Sequence, residues 1–162
     1  MADEKPMKGD VLQDTVIQSL TRETCEAHAA LLLSFSRDQL WEDWTAENLL
    51  APRILKWDLS IIAVSAGVPI GYAIVSAKAD RIHHLHRFAV HALWRRSGIG
   101  SLMIARIIDR SSACGGTTEL KVHRDNHPAI AFYRRHGFSY YEIVESQYAE
   151  MRLSLDVRRL KT

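Results

Sequence analysis

The feature that most constrains this chain is a glycine-containing loop between a predicted strand and a predicted helix. The strand ends at Phe88-Ala89-Val90, and the loop Arg95–Ser101 leads directly into a helix predicted over Ile99–Ala113. Backbone N–H groups at the start of a helix have no partners within the helix, and the helix dipole favours an anion there. Gly98 and Gly100 remove side chains that would keep a phosphate away from these donors, and the two arginines that open the loop add positive charge. The pattern therefore predicts a site for a phosphate or a pyrophosphate.

Other kinds of glycine loop fit this segment less well. A Walker A loop requires a Lys after its second fixed glycine, and none follows here. A Rossmann fingerprint requires a third small residue, where this chain has Met103, and an acidic residue at the end of the next strand. Glu119 lies at about the right distance but at the start of that strand. A loop that only packs a helix against a sheet stays open as the structural alternative.

The hydrophobic pattern predicts a mixed sheet with helices on its faces. A segment of alternating and β-branched residues begins near Leu59, and Ala66-Gly67-Val68-Pro69 forms a predicted tight hairpin turn within it. The predicted order is β-α-α-β-β-β-α-β-α-β-β. The predicted strands are Val16–Leu20, Leu59–Ser65, Ile70–Ala77, Ile82–Val90, Thr118–Val122, Phe138–Val144 and Tyr148–Leu155.

The predicted helices have recognisable ends. Thr21 is a candidate N-cap for the first helix, and a second short helix is predicted from about Thr45. Asn126 is a candidate N-cap for a helix that extends to His136, and Gly137 lies just past its end. The residues expected to face the core are Ala27, Leu31, Leu32 and Phe35 in the first helix and Leu102, Ala105 and Ile108 in the long one.

Composition excludes several classes of protein. The chain has 162 residues, 47% hydrophobic and 25% charged, which fits one globular domain with a single core. The net charge of +2 is too small to predict nucleic-acid binding. We expect no membrane association, because no apolar run approaches the roughly 18 residues that span a bilayer. Residues 1–10 lack the apolar stretch of a secretion signal, and Cys25 and Cys114 have no metal or redox spacing. We therefore expect a cytoplasmic protein.

Two motifs, taken in order, resemble those of the GNAT superfamily of acetyltransferases. This family carries Gln/Arg-x-x-Gly-x-Gly/Ala between its fourth strand and the next helix, and Arg95–Gly100 matches every fixed position. The family then carries an Asn-x-x-Ala-x-x-x-Tyr-x-x-x-Gly-Phe segment after its fifth strand. The matching residues here are Asn126, Ala129, Tyr133, Gly137 and Phe138. The resemblance extends over roughly residues 14–155.

The resemblance implies the GNAT fold and acetyl-CoA as cosubstrate. That α/β (α+β) fold has a mixed, mostly antiparallel central sheet of about seven strands, flanked by about four helices and splayed between strands 4 and 5. The resemblance also implies that the pantetheine arm pairs with the fourth strand, where the Val90 N–H would polarise the acetyl carbonyl. We expect a disordered lead-in over residues 1–12 and a single acetyltransferase domain over 13–158. The cofactor-binding residues implied are Phe88, Ala89, Val90, Arg95, Arg96, Ser97, Gly98, Ile99, Gly100, Ser101, Asn126 and Tyr133.

Tyr133 is the residue implied as general acid, because GNAT proteins place a Tyr beside the coenzyme A sulfur. The base is less clearly marked, since the fourth strand contains no Glu. His84 falls where several relatives carry that Glu, and His86 lies two residues on, on the same face. Either imidazole could accept a proton at neutral pH. The alternatives are a His on the strand face that only makes a hydrogen bond, an exposed cluster with His83, or an amine that arrives already neutral. We expect no metal site, because no carboxylate or Cys nearby completes one.

The acceptor predicted by the resemblance is a primary amine of a small molecule or a peptide, whose nitrogen attacks the thioester of acetyl-CoA directly. Acceptor choice in this fold depends mainly on the first two helices and the final hairpin. Acids and aromatic residues there suit a cationic amine, such as a polyamine, an aminoglycoside or a peptide N-terminus, and ordinary amphipathic surface is the alternative. A coenzyme A-binding sensor without turnover is a second hypothesis, and a homodimer is an open alternative to a monomer. The residues concerned are Trp41, Glu42, Asp43, Trp44, Glu47, Glu142, Glu145 and Tyr148.

Overall fold

The computed structural model describes residues 12–37, 43–79, 81–142 and 147–153. Seven strands and five helices lie along these ranges. The strands are β1 (Thr15–Ser19), β2 (Ile61–Ser65), β3 (Val68–Ala79), β4 (Ile82–Val90), β5 (Thr117–His123), β6 (Phe138–Glu142) and β7 (Tyr148–Leu153). The helices are α1 (Arg22–Ser34), α2 (Ala46–Leu50), α3 (Lys56–Leu59), α4 (Ile99–Ala113) and α5 (His127–Arg135), with a 3₁₀ turn at Ala92–Trp94.

The seven strands form one sheet in the order β1-β2-β3-β4-β5-β7-β6. Every neighbouring pair is antiparallel except β4 and β5, which run parallel. The connection between that parallel pair contains α4, as a crossover between parallel strands requires. The predicted mixed, mostly antiparallel sheet is therefore confirmed.

The parallel pair separates along its length. Residues Ile82–Leu85 of β4 pair with Thr117–Leu120 of β5. Both strands continue beyond that pairing, β4 to Val90 and β5 to His123. The unpaired ends diverge and leave a slot in the middle of the sheet. The predicted splay between strands 4 and 5 is confirmed.

A bulge in β4 changes which side chains face which layer. Ile74 of β3 pairs with Arg87, but the next residue, Val75, pairs with Leu85, so His86 is the extra residue. One extra residue reverses the inward and outward alternation of a strand. As a result Leu85 and Phe88 both lie on the side of the sheet covered by α4 and α5.

The core consists of two layers, one on each face of the sheet. On one face α4 and α5 cover β-strand residues such as Leu85 and Leu120. On the other face α1 and α2 cover Tyr72 and Ile74. Within the described ranges, even the longest helices lack the length and the apolar character needed to cross a membrane.

The helix ends follow the predicted caps. Thr21 Oγ1 accepts a hydrogen bond from the Thr24 N–H, and Asn126 Oδ1 accepts one from the Ala129 N–H at 3.3 Å. The hairpin turn between β2 and β3 is tighter than predicted. Its two central residues, Ala66 and Gly67, have φ of 48° and 78°, as a two-residue turn requires, and the two residues that follow belong to β3.

The predicted buried face of α4 is wrong. Leu102 and Ala105 are exposed and Ile108 is only partly buried. The buried residues are Ile99, Met103, Ile104, Ile107 and Ser111. Apolar residues occupy more than one stripe of this helix, so periodicity alone does not decide which stripe the sheet covers.

Two further differences lie in the first half of the chain. Ala27 is exposed and Cys25 is buried instead. The helix α1 is kinked at His28, which has non-helical backbone angles. The strand predicted from Leu59 begins at Ile61, because residues 56–59 form the short helix α3. This adds a fifth helix in the described ranges to the four predicted. The buried Lys56 amine holds that corner by donating to the carbonyls of Leu49 and Ala51 at the end of α2.

Candidate functional site

The slot between the diverging ends of β4 and β5 is a cavity of about 420 Å³. One wall comes from β4 and the loop that follows it, and the other from β5 and α5. The lining residues are Leu85, His86, Arg87, Phe88, Val90, Trp94, Arg95, Arg96, Gly98, Gly100, Ser101, Leu120, Lys121, Val122, His123, Asn126, Ala129, Phe132, Tyr133, Arg135 and Tyr148. The slot therefore contains most of the residues that the sequence predicted for cofactor binding.

Hydrogen bonding between β3 and β4 determines which main-chain groups of β4 face the slot. The His91 N–H donates to the Ile70 carbonyl at 2.8 Å. Because hydrogen-bonded and non-hydrogen-bonded pairs alternate in an antiparallel ladder, the N–H and C=O groups of Val90 and Phe88 point away from β3 and toward the slot. Ala89 has the opposite phase: its main chain faces Tyr72, and its side chain is buried beneath α1. Ala89 is thus the one predicted strand residue that does not reach the slot.

The glycine loop places the first turn of α4 at the mouth of the slot. Gly98 is the N-cap residue and has φ of +94°, a left-handed conformation that favours glycine. No side chain of the described residues caps the helix start by a hydrogen bond. Gly100 permits a close approach of α5, since a Cβ there would lie 3.4 Å from Phe132 Cε2. Leu12, the last residue of the predicted lead-in and the only one described, packs against Gly98 from outside.

The other residues of the loop differ in their contacts and in their burial. Arg95 lines the slot, but its Nε donates to the Val90 carbonyl at 2.9 Å and an Nη donates to the Phe35 carbonyl at 2.7 Å. It therefore ties the end of β4 to the end of α1. Arg96 lines the slot and is exposed. Ser97 donates to the Trp94 carbonyl, and Ile99 is buried in the core.

Helix α5 brings aromatic residues to the inner wall of the slot. Tyr133 is 9% exposed, and its ring centroid lies 6.3 Å from that of Phe88 on β4. Asn126 lines the slot at the start of the same helix. The two arginines near the helix end diverge. Arg135 lines the slot, whereas the Arg134 guanidinium stacks 4.8 Å from the Tyr140 ring centroid.

The two candidate bases lie in a second cavity, of about 390 Å³. We call it the basic pocket. Its lining residues are Arg53, Ile54, Ser76, Ala77, Lys78, His84, His86 and Lys121. The rings of His84 and His86 make an edge contact at 4.7 Å between centroids, so the predicted shared face exists. Of these two histidines, only His86 also lines the slot. The alternative cluster with His83 is wrong, because His83 is buried on the opposite face against Ser111.

A buried carboxylate holds the floor of the basic pocket. Glu119 is 2% exposed, and its oxygens accept hydrogen bonds from Lys78 at 2.6 Å and Arg152 at 2.8 Å. His84 Nδ1 lies 3.4 Å from the same carboxylate. Burial alone would raise the pKa of Glu119, but the bonds from Lys78 and Arg152 outweigh it and hold that pKa at about 2. The carboxylate is therefore ionised at neutral pH and is shared between two cations.

Both histidines of the basic pocket are neutral at neutral pH. Burial, followed by repulsion from His84 and the nearby cations, lowers the pKa of His86 to about 3. Burial also lowers the pKa of His84, against the opposing effect of its bond to Glu119. His86 Nε2 lies 2.7 Å from Ser76 Oγ. These two imidazole rings are better suited to hydrogen bonding than to accepting a proton as a base.

The sequence pointed to few of the basic-pocket residues. Arg53, Lys78 and Lys121 come from a loop and two different strands, so no local motif joins them. Arg87 was also missed; it is 3% exposed, lines the slot and stacks 5.6 Å from the Trp44 ring centroid. A charged residue within an otherwise apolar strand was the available signal for Arg87.

The residues predicted to choose the acceptor are only partly described. Trp41, Glu42 and Glu145, and the side chain of Glu142, lie outside the described residues. Asp43 and Glu47 are exposed and line neither cavity. Trp44 packs over Arg87, and Tyr148 lines the slot with its ring against His123 at 5.4 Å. Among the described residues, the acidic groups predicted for the acceptor do not meet in one site.

Comparison with known proteins agrees with this architecture. Residues 21–138 match the acetyltransferase (GNAT) family model. The ribosomal-protein-S18-alanine N-acetyltransferase from Escherichia coli superposes with a TM-score of 0.71 at 21% identity, over 91% of this chain and 99% of that chain. Ard1 from Thermoplasma volcanium gives a TM-score of 0.71 at 21% identity, over 86% of this chain and 95% of that chain. The PaiA N-acetyltransferase from Thermoplasma acidophilum, solved in complex with coenzyme A, gives a TM-score of 0.68 at 17% identity, over 86% of this chain and 99% of that chain.

The structural comparisons establish the fold, and the family match establishes the lineage. No curated protein matches the chain closely enough to count as a relative. The family match extends from the start of α1 to the start of β6. It contains the glycine loop, Tyr133 and every residue that lines the slot except Tyr148. The chain therefore belongs to the GNAT family of acetyltransferases.

Proposed function

We propose that this protein transfers the acetyl group of acetyl-CoA to a primary amine of a small molecule or a peptide. The observation that carries the proposal is the slot itself: a sheet opened between β4 and β5. The end of β4, which β5 does not pair with, forms one wall, and Tyr133 lies on the other. A thioester bound in this slot would lie between a hydrogen-bonding strand edge and a phenol. That arrangement suits acyl transfer, which requires an anchored and polarised carbonyl and a protonated leaving group.

The cofactor is anchored mainly by main-chain groups. The N–H groups at residues 97–101 bind the pyrophosphate at the start of α4, supported by the positive end of the helix dipole. Phe88 offers its main-chain N–H and C=O groups to the pantetheine arm as a neighbouring strand would, and the Val90 N–H polarises the acetyl carbonyl. Arg96 and Arg135 supply positive charge at the mouth. Arg95 acts by fixing the Val90 carbonyl and so the edge of β4.

Tyr133 completes the reaction at the sulfur. The amine nitrogen attacks the carbonyl carbon, the carbon–sulfur bond breaks, and the thiolate takes a proton from the Tyr133 hydroxyl. The nitrogen loses a proton to solvent as the amide forms, and solvent returns one to the Tyr133 phenolate. The nearly complete burial of the Tyr133 ring among aromatic neighbours fixes its position. Loss of a positioned proton donor typically costs about 10²–10⁴-fold in rate.

The amine loses its proton before or during attack. His86 is the better placed of the two candidate bases, since it lines both the slot and the basic pocket, but its low pKa makes it a weak proton acceptor. The cations of the basic pocket favour the neutral form of a nearby amine. We therefore propose that the amine reacts largely after deprotonation by solvent, with His86 and Ser76 as hydrogen-bonding neighbours.

We propose that residues 13–158 form a single acetyltransferase domain and that the protein works in the cytoplasm. Its partners are acetyl-CoA and the amine acceptor. Solution scattering or ultracentrifugation would decide between a monomer and a homodimer.

The test combines binding and turnover. Calorimetry measures acetyl-CoA affinity, and a thiol assay measures free coenzyme A released from acetyl-CoA as amines are added. We expect binding together with amine-dependent release that falls sharply in Tyr133→Phe. Tyr140→Phe is the matched control, since Tyr140 is exposed and lines neither cavity. Binding without release across a broad amine panel would favour the alternative, a coenzyme A-binding sensor without turnover.

A further inference from the structure

The basic pocket adjoins the slot at the point where the acceptor must approach. His86 and Lys121 line both cavities. The pocket lies on the α1 and α2 side of the sheet, while the α5 wall of the slot lies on the other side. A molecule that occupies the basic pocket can therefore place one end beside the acetyl group while the cofactor fills the slot.

The charges of this pocket are predominantly positive. Arg53, Lys78 and Lys121 line it, and no carboxylate does so among the described residues. The two carboxylates beneath it are already engaged: Glu119 with Lys78 and Arg152, and Glu150 with Lys121 at 3.3 Å. Four cationic side chains thus stand against two carboxylates.

Arg53 has the fewest competing partners in the pocket. Its side chain is exposed, and no carboxylate of the described residues lies within ion-pairing distance of it. Its carbonyl accepts a hydrogen bond from the Lys56 N–H at 3.3 Å, which fixes the backbone at that corner. The guanidinium borders the pocket and can pair with an anion there.

Neutral hydrogen-bonding groups complete the site. Ser76 and the rings of His84 and His86 lie between the cations. Such groups can accept or donate to a carboxylate without adding charge. The combination is suited to a carboxylate and poorly suited to the polyamines and aminoglycosides that the acidic residues of the sequence had suggested.

We propose that the basic pocket binds a carboxylate of the acceptor, so that the substrate is an amine carrying a carboxylate within reach of its nitrogen. This proposal rests on the proposed acetyl transfer and names its substrate class. Both a free amino acid and a peptide with an acidic side chain carry this chemistry. Polyamines and other polycations are excluded by the same charges.

The experiment compares amines that differ only in the carboxylate. One pair is 4-aminobutyrate and 4-aminobutyramide; the other is alanyl-glutamate amide and alanyl-glutamine amide. For each we measure kcat/KM by coenzyme A release, and Kd by calorimetry with the protein saturated with coenzyme A. We expect the carboxylate member of at least one pair to bind and react about 2–5-fold better or more, the range of a partly exposed ion pair. The pair that responds identifies the source of the carboxylate.

Arg53→Gln tests the origin of that preference. We expect this variant to lose most of the preference in kcat/KM and Kd for the carboxylate member over the amide member, while its acetyl-CoA affinity stays unchanged. We expect Arg53→Glu to prefer the amide member. Arg106→Gln is the control, because Arg106 is exposed on α4 and lines neither cavity.

The outcomes separate this proposal from the proposed function. Equal Kd and equal kcat/KM for both members of both pairs, or a ratio unchanged in Arg53→Gln, overturns the carboxylate site even if other amines are acetylated. A Kd preference that depends on Arg53 supports the site even if turnover fails, since the binding arm requires no chemistry.

Discussion

The slot and the basic pocket share strand β4 but are built in different ways. In the proposed mechanism the slot binds the cofactor through main-chain groups of Phe88, Val90 and the first turn of α4, so that its function would depend on backbone geometry. The basic pocket uses side chains from Arg53, Lys78 and Lys121, which come from separate segments. A backbone site tolerates many side chains but not a change of conformation, whereas a side-chain site changes with single substitutions. This contrast fits one cofactor served by a constant site and an acceptor served by a variable one.

The largest effect should come from the proton donor in the slot. We expect Tyr133→Phe to lower kcat by about 10²–10⁴-fold, because the thiolate then leaves without a positioned proton. Acetyl-CoA affinity should change little, since the phenyl ring keeps its packing against Phe88. Steady-state kinetics and calorimetry on the variant separate the two quantities. A kcat close to that of the wild type would remove Tyr133 from the chemistry.

A backbone substitution tests the cofactor side of the comparison. We expect Gly98→Trp to weaken acetyl-CoA binding about 100-fold or more, the loss of at least two hydrogen bonds to a charged group. Gly67→Trp is the matched control: its φ of +78° carries the same backbone strain, but an added Cβ there meets nothing within 4 Å. Calorimetry and thermal unfolding are measured on both variants. If the two variants bind equally well, the pyrophosphate does not lie at Gly98.

The floor of the basic pocket should control stability and its pH dependence. We expect Glu119→Gln to lower the free energy of unfolding at pH 7 by about 2 kcal/mol, because Lys78 and Arg152 lose the charged partner of their hydrogen bonds. The folded-state pKa of Glu119, about 2, lies below its ordinary value of 4.5. Its stabilisation is therefore present above the ordinary value and is lost as pH falls toward 2.

Urea unfolding across pH 2–7 checks this prediction. The wild type should lose stability through that window more steeply than Glu119→Gln. Glu47→Gln, at an exposed position on α2, is the control and should keep the wild-type slope. Parallel slopes for all three proteins would show that the carboxylate is not held by its cations.

The smallest effect is expected at the candidate base. With its pKa lowered to about 3, His86 is already deprotonated at neutral pH and gains little by accepting a proton. We expect His86→Ala to lower kcat/KM less than about 10-fold, below the usual effect of a general base, and to leave the pH profile between 6 and 9 unchanged in shape. A loss of kcat/KM above 100-fold, together with the disappearance of the rise in the pH–rate profile near the ordinary His pKa, would restore His86 as the base.

Sequence alone predicted the backbone features well. The bounds of α4 match the prediction because Gly98 begins the helix and the glycines after Cys114 end it. The limits of β4 and the N-cap role of Asn126 were also predicted correctly. These features depend on local chemistry, in which each signal lies within a few residues of the structure that it determines.

Features that depend on distant neighbours were not predictable in the same way. The buried stripe of α4 was misassigned because Leu102 and Met103 are equally apolar, and only the position of the sheet makes Met103 the buried one. The phase of Ala89 required knowledge of the bulge at His86. The basic pocket required the pairing of β3, β4 and β5, since that pairing brings Lys78, Glu119 and His84 together.

The most direct test of the central claim is release of coenzyme A from acetyl-CoA by the wild-type protein across a broad panel of amines. The panel should include antibiotics, polyamines, amino acids and short peptides, with the acetylated product identified by mass. The account predicts amine-dependent release, one acetylated amine per thiol, with carboxylate-bearing amines favoured over polycations. Tight acetyl-CoA binding with no release for any amine would contradict it and would indicate a sensor rather than an enzyme.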